Sequence, residues 1–313
     1  MLLMSKMGMR HLIRKRLFSL FDTPKYSIVI PHPTSPQISY NSIPEGITLP
    51  PYALNGVPPS SPSNLVEIKN VSRINSMREA GKIAKSLLIS VEELIKPGIT
   101  TDEIDKKIND LCFHKYEVYP SPLNYKGFPK SVCTSVNNVA CHGIPDSRPL
   151  EEGDIINVDI TIFTKDKVHA DCSRTFSVGE IDEKAKSLLS VAEEALWVGI
   201  KEVAPNKPIN SIGKSIENFV QLKGYCVIPI FTGHGIGSNF HECPDIFHFT
   251  YDGDDLCMAP GMTFTIEPIV GEKSDAIRIL QQDGWTALSV DNSRSAQFEH
   301  TVLVTDSGFE VLT

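Results

Sequence analysis

An α+β fold built from two similar halves is predicted by three observations: a helix–helix–strand pattern occurs twice, strand-rich segments follow each copy, and the stretch ahead of the first copy holds too much proline to pack as a regular element. The first copy opens with Ala84-Lys85-Ser86-Leu87-Leu88 and continues to Glu92-Glu93. The same letters return as Ala185-Lys186-Ser187-Leu188-Leu189, continuing to Glu193-Glu194. Both stretches read as amphipathic helices. Each leads into a proline-containing break (Pro97-Gly98, then Pro205 and Pro208), a second helical stretch (101–114; 209–222) and a short strand ending in proline (116–120; 225–229). Repetition of this kind implies duplicated half-domains related by an approximate two-fold axis.

The strand-rich segments are 131–136, 154–163 and 168–178 after the first copy, and 262–270, 285–291 and 298–304 after the second. The turn Thr164-Lys165-Asp166-Lys167 makes 155–178 a hairpin, which would set Asp159 and Asp171 across from one another. Any site shared by the two halves is expected in a cleft where their sheets meet.

With 313 residues and 41% hydrophobic content, the chain can bury one large core. The expected division is a basic leader with a proline-rich linker over residues 1–62 and a single catalytic domain over 63–313. Residues 1–44 carry Lys6, Arg10, Arg14, Lys15, Arg16 and Lys25 against Asp22 alone, a local +5 that leaves −13 for the remainder of a chain whose net charge is −8. An acidic body excludes nucleic acid as the main partner, because phosphate binding needs a basic footprint. The first 21 residues contain no acid, with Ile13, Leu17 and Leu20 at helical spacing and Arg10 and Arg14 on another face. That is the pattern of a mitochondrial presequence, with a plastid or cytoplasmic setting as the alternatives. No apolar run of eighteen residues occurs, so no membrane span is expected. Ten of the 22 prolines fall in residues 24–62, which reads as an extended linker or a strap over the domain surface. Seven cysteines without a CxxC pair point to a reducing compartment and no zinc-finger module.

The chemistry is concentrated in Asp159, Asp171, His234, Glu267 and Glu299, set in NVDIT, HADCSRTF, TGHGIG, FTIEPI and QFEHT. Carboxylates in strand-like segments should be buried, and a buried carboxylate is costly unless a positive group neutralises it. No lysine or arginine lies in register with all four. Four negative charges with one neutral imidazole balance two divalent cations, and this donor set suits Mn, Co, Fe or Zn. A hydrolase using a pair of metal ions is the reading that follows. Glycines on both sides of His234 and Pro268 directly after Glu267 suggest backbone shaped to aim those side chains.

Those five residues, with PKSVCTSVNNVACHGIPDSRPL (129–150) and SAQFEHTVLVT (295–305), closely resemble the type 1 methionine aminopeptidases, in particular the organellar form, from about residue 65 to the C-terminus. The resemblance implies the pita-bread fold with pseudo-two-fold halves and a dinuclear centre that removes the initiator methionine from new polypeptides, acting as a monomer, with ribosome-associated nascent chains among its partners. It implies that Asp159 binds one metal, that Asp171 and Glu299 bridge, and that His234 and Glu267 complete the other site, Glu267 also carrying protons. His142 matches the family histidine that contacts the scissile amide, and His241 the one that stabilises the developing oxyanion. Tyr125, Phe128, Cys133, Phe240 and Trp285 resemble the family's methionine pocket, an apolar slot with a polarisable lining. His11, His32, His114, His169, His248 and His300 are assigned structural or exposed positions. The short spacing from His234 to Glu267 favours type 1 over type 2, and a basic leader stands where the cytosolic type 1 form has zinc-binding modules.

The chain departs from the family pattern at one extra hairpin residue between the first two aspartates, at Ala170 where glycine is common, and at Cys172 in place of a usual threonine. The last change is expected to remove a hydroxyl beside a bridging ligand and so to alter metal affinity. Two other functions compete: a prolidase or Xaa-Pro aminopeptidase of the same fold, and a pita-bread protein with weak catalysis that binds protein partners.

Overall fold

The computed structural model describes residues 26–31, 42–59, 65–253 and 256–313. The basic leader expected over the first 21 residues lies outside them. Two helix pairs define the halves. In the first, α1 (Val71–Glu92) is capped by Asn70, and α2 (Thr101–Leu111) starts with a capping box in which Thr100 and Glu103 satisfy each other's backbone N–H groups. In the second, α3 (Glu183–Ile200) is capped by Asp182 and is followed by α4 (Asn210–Leu222). The strand after each pair is shorter than its sequence suggests, Tyr119–Pro120 and Cys226–Val227, because a π-turn over Cys112–Tyr116 and the left-handed Glu117 take up the first of them.

Five strands carry the site: β1 (Ile155–Phe163), β2 (His169–Ser177), β3 (Gly233–Gly235), β4 (Thr263–Ile266) and β5 (Glu299–Val304). They belong to one nine-stranded sheet in which Tyr119–Pro120, β1, β2, β5, β4, β3 and Glu242–Ile246 follow in that order, with Cys133–Val136 also on β1 and Phe309–Val311 on β5. The expectation of a cleft between two sheets is therefore corrected. The halves join edge to edge along β2 and β5, where Glu299 pairs with Ser173 and His300 with Cys172.

Strand alternation separates the two faces. Ile156, Val158, Ile160 and Ile162 of β1, with Ala170 and Cys172 of β2, pack on Met77, Ala84 and Leu87 of α1. The opposite face carries Asp159, Thr161 and Asp171. Behind the second half, Val302 and Val304 of β5 and Phe264 and Ile266 of β4 pack on α3 and α4.

Within the proline-rich segment, residues 26–31 and 42–59 lie as a strap on the domain. Tyr52 and Ala53 are buried among Phe113, Tyr119, Leu123, Tyr125 and Phe240. The Tyr52 hydroxyl donates to the Ser121 carbonyl at 2.8 Å, and the Asn124 side-chain amide donates to the Ala53 carbonyl at 2.9 Å. Farther back, the Val29 backbone exchanges two hydrogen bonds with the Asn138 side chain.

Candidate metal centre

Asp159 and Asp171 are not direct cross-strand partners as expected. In the β1–β2 hairpin Asp159 pairs with Ser173 and Asp171 with Thr161, so the two carboxylates are diagonal neighbours on one face, still within reach of one another. The hairpin loop turns through Lys167, which takes a left-handed φ of 57°. Glu299 enters from β5, and oxygens of Asp159, Asp171 and Glu299 all lie within 4.8 Å of one another. Nε2 of His234 on β3 stands 3.8 Å from Asp171 Oδ2 and 3.7 Å from Glu267 Oε1. Glu267 occupies the break where β4 ends at Ile266 and the strand Ile269–Gly271 begins, since Pro268 cannot continue the ladder.

Glycine flanks His234 because the backbones crowd there. A Cβ on Gly233 would lie 2.4 Å from the Thr265 carbonyl oxygen, and one on Gly235 would lie 2.2 Å from that of Cys243.

Hydroxyls two residues from the acids hold the face in place. Thr161 donates to Asp171 Oδ1 at 2.7 Å, Thr265 donates to Glu267 Oε1 at 2.7 Å, and Thr301 donates to the Asp171 carbonyl at 2.8 Å. Cys172 faces away, into the helix-side core. Thr161 supplies the hydroxyl that Cys172 was expected to withhold, so the substitution is a packing change and not the loss of a hydrogen bond to a ligand. Gln297 donates to Glu267 Oε2 at 3.2 Å, and His248, buried, accepts from the Glu267 backbone N–H at 3.1 Å. The structural role expected of His248 thus extends to supporting the site.

Burial dominates the electrostatics. It raises the Asp159 carboxyl to about 7 and the Glu267 carboxyl to about 8. It also pushes Asp171 and Glu299 well above the carboxylate range, and the other acids of the group add to the effect. Among the described residues no lysine or arginine pairs with any of the four. Glu299 Oε1 is buried without a hydrogen-bond partner, a condition that normally demands an explanation such as a bound ion. Nδ1 of His234 lies 3.0 Å from the Gly235 carbonyl oxygen, so that nitrogen carries the proton and Nε2 presents a lone pair. Burial lowers the ring to about 4 and keeps it neutral. A lone pair aimed at two carboxylates is repulsive unless a cation lies between them, and the donor set therefore fits divalent metal.

All twelve residues singled out in the sequence line one cavity of about 280 Å³. Phe128 and Trp285 meet edge to face at 5.2 Å, and Tyr125 and Phe240 are 4.8 Å apart. The Cys133 thiol is pushed well up, first by burial and then by Asp159, and stays neutral. His142, with a left-handed φ of 54°, stands edge-on to Phe231 and Trp285, and burial takes it down to about 4. His241 lies 4.0 Å from the His234 ring. Enclosure, then His234 and Lys126, hold it well below the ordinary histidine value. The cavity also contains residues the sequence reading passed over, namely Pro122, Lys126, Thr161, Ile230, Phe231 and Thr232. Thr161 had a signal in its two-residue spacing from Asp159. The others sit on loops whose course no local pattern fixes.

Residues 75–306 match the model of metallopeptidase family M24. The mitochondrial methionine aminopeptidase 1D of Danio rerio is 45% identical over 93% of this chain and 84% of its own length, and that of Homo sapiens is 45% identical over 92% and 84%. The chloroplastic methionine aminopeptidase 1B of Arabidopsis thaliana is 45% identical over 87% of this chain and 72% of its own. Among solved structures, methionine aminopeptidase from Rickettsia prowazekii superposes with a TM-score of 0.78 at 39% identity, covering 80% of this chain and all of that one. A prolidase from Pyrococcus furiosus, at 22% identity and a TM-score of 0.64 over 80% of this chain and 66% of its own, shares the fold.

Proposed function

The chain belongs to the methionine aminopeptidases of metallopeptidase family M24, and from that premise we propose that it removes the initiator methionine from the N-terminus of new polypeptides through a pair of divalent metal ions. The observation that carries this reading is the convergence of four carboxylates, Asp171 and Glu299 buried and Asp159 and Glu267 half-buried, with the His234 lone pair and, among the described residues, no basic side chain paired with them. Asp159, Asp171, Glu299, His234 and Glu267 would hold the metals, with Asp171 and Glu299, on the adjoining strands β2 and β5, at the centre of the group. Mn, Co, Fe and Zn all accept these donors. Bound there, divalent ions supply Lewis acidity and lower the pKa of water toward neutrality.

The chain's own residues account for the rest. Glu267, held by Thr265 and Gln297, takes and returns the proton at its carboxylate. His142 and His241, both neutral at pH 7, can donate N–H hydrogen bonds, His142 to the scissile amide and His241 to the oxygen that gains charge. Tyr125, Phe128, Cys133, Phe240 and Trp285 receive the methionine side chain, whose thioether favours aromatic edges. Residues 1–62 act as leader and linker and 63–313 as the catalytic domain. The leader's basic, acid-free composition and the mitochondrial relatives support a mitochondrial setting. No described helix is long and apolar enough to cross a membrane.

The test is release of methionine from Met-Ala-Ser by the purified protein, with each metal in turn, set against an Xaa-Pro peptide. Turnover of the first and not the second is expected. Turnover of the Xaa-Pro peptide alone would replace this reading with a prolidase-like one.

A further inference from the structure

The cavity of the metal centre continues past His241. A second cavity of about 350 Å³ shares Tyr125, Lys126, Phe240 and His241 with the first, and its far wall is the strap, through Pro51, Tyr52, Pro58 and Pro59. That wall is fixed. Tyr52 is buried, is bonded to Ser121 and meets the Tyr125 ring edge-on at 4.9 Å. At the shared boundary stands Lys126, exposed, on a left-handed backbone with φ of 49°, its Nζ 5.4 Å from the centre of the Tyr125 ring. Among the described residues it is the one lysine or arginine lining either cavity, and no described carboxylate forms an ion pair with it.

A polypeptide whose first residue occupies the metal-centre cavity must carry its following residues out across a boundary of that cavity. We propose that the strap-walled cavity is a subsite for the third and fourth residues of the substrate, and that Lys126 makes this subsite favour acidic side chains over basic ones. The inference rests on the aminopeptidase reading above. An otherwise acidic protein, with −13 outside its first 44 residues, would attract basic substrates, and a single unpaired cation at the point of contact reverses that preference locally. The strap supplies the apolar wall against which the extended substrate lies, and its prolines offer few backbone donors to compete for the substrate's own carbonyls.

The experiment compares kcat/KM for Met-Ala-Asp-Asp and Met-Ala-Lys-Lys peptides, with the dipeptide amide Met-Ala as a control too short to reach the subsite. The wild type should prefer the acidic peptide by about two- to five-fold, the size of an exposed charge pair, carried mainly in KM. The preference should shrink at ~1 M salt, where charges are screened beyond about 3 Å. Lys126→Arg should keep it, Lys126→Ala abolish it and Lys126→Glu invert it, each acidic-to-basic ratio being read within one protein and against that protein's own rate on the dipeptide amide, because Lys126 also borders the metal-centre cavity. An unchanged ratio in Lys126→Glu, or equal rates for both long peptides in the wild type, overturns the subsite while leaving the aminopeptidase intact. Absence of methionine release from every peptide, the dipeptide included, overturns the activity itself and the subsite with it.

Discussion

Replacing Glu267 by glutamine should stabilise the metal-free protein at alkaline pH and abolish its response to metal. Burial lifts this carboxyl from 4.5 to about 8, so its protonated form is the one the metal-free fold accommodates. Below pH 4.5 the group is neutral in both folded and unfolded chains and contributes no penalty. As pH rises toward 8 the unfolded chain ionises first and gains free energy that the folded chain cannot match. At about 1.4 kcal/mol per pH unit, the loss reaches on the order of 5 kcal/mol above pH 8. Glutamine never ionises and keeps the Thr265 bond to its carbonyl oxygen. Its amide, however, turns a donor toward the Gln297 amide that now donates to Oε2 at 3.2 Å, which costs about 1–3 kcal/mol. The net expectation is a variant more stable than the wild type by about 2–4 kcal/mol at pH 8.5, with the advantage gone or reversed at pH 4.5. Urea denaturation in the presence of a chelator at the two pH values reads this directly. Added Mn or Co should then raise the wild type above the variant, because only the folded wild type binds well. Parallel pH dependence in the two proteins, or an equal gain from metal, would refute the reasoning.

His142→Ala should lower kcat by about 10²–10³, the effect of losing one positioned donor, with metal content by elemental analysis unchanged; loss of metal would reassign this histidine. Asp171→Ala, which removes the carboxylate between Asp159 and Glu299, should lose both turnover and bound metal, and two retained metals per chain would disprove its shared role. Tyr52→Ala removes a ring 1% exposed together with its bond to Ser121. It should destabilise the protein by about 3–5 kcal/mol in the same urea assay, whereas unaltered stability would show that the strap is dispensable to the domain.

The side chains proposed as donors were readable in the sequence alone, and so was much of their support. Each acid lies in a β-rich segment, and each of Asp159, Glu267 and Glu299 has a threonine two residues away, hence on its own face of the strand. The repeated segments at 84–93 and 185–194 disclosed a helix in each half, although the first lies inside α1 and the second near the start of α3, and the caps at Thr100 and Asp182 set helix starts by local hydrogen bonding alone. These features depend on a few consecutive residues, so local pattern suffices to read them. Tertiary structure decided the rest. It set the register that places Asp171 opposite Thr161, joined the halves into one sheet, turned Cys172 toward α1, and fixed the His234 tautomer through the Gly235 carbonyl. It also laid Tyr52 against Tyr125 and brought Lys126 to the mouth of two cavities. Apart from the hairpin register and the His234–Gly235 bond, each of these is a contact between residues far apart in the chain. Such contacts are settled by which backbones can approach and which apolar faces bury each other, and those terms appear only once the whole core has closed.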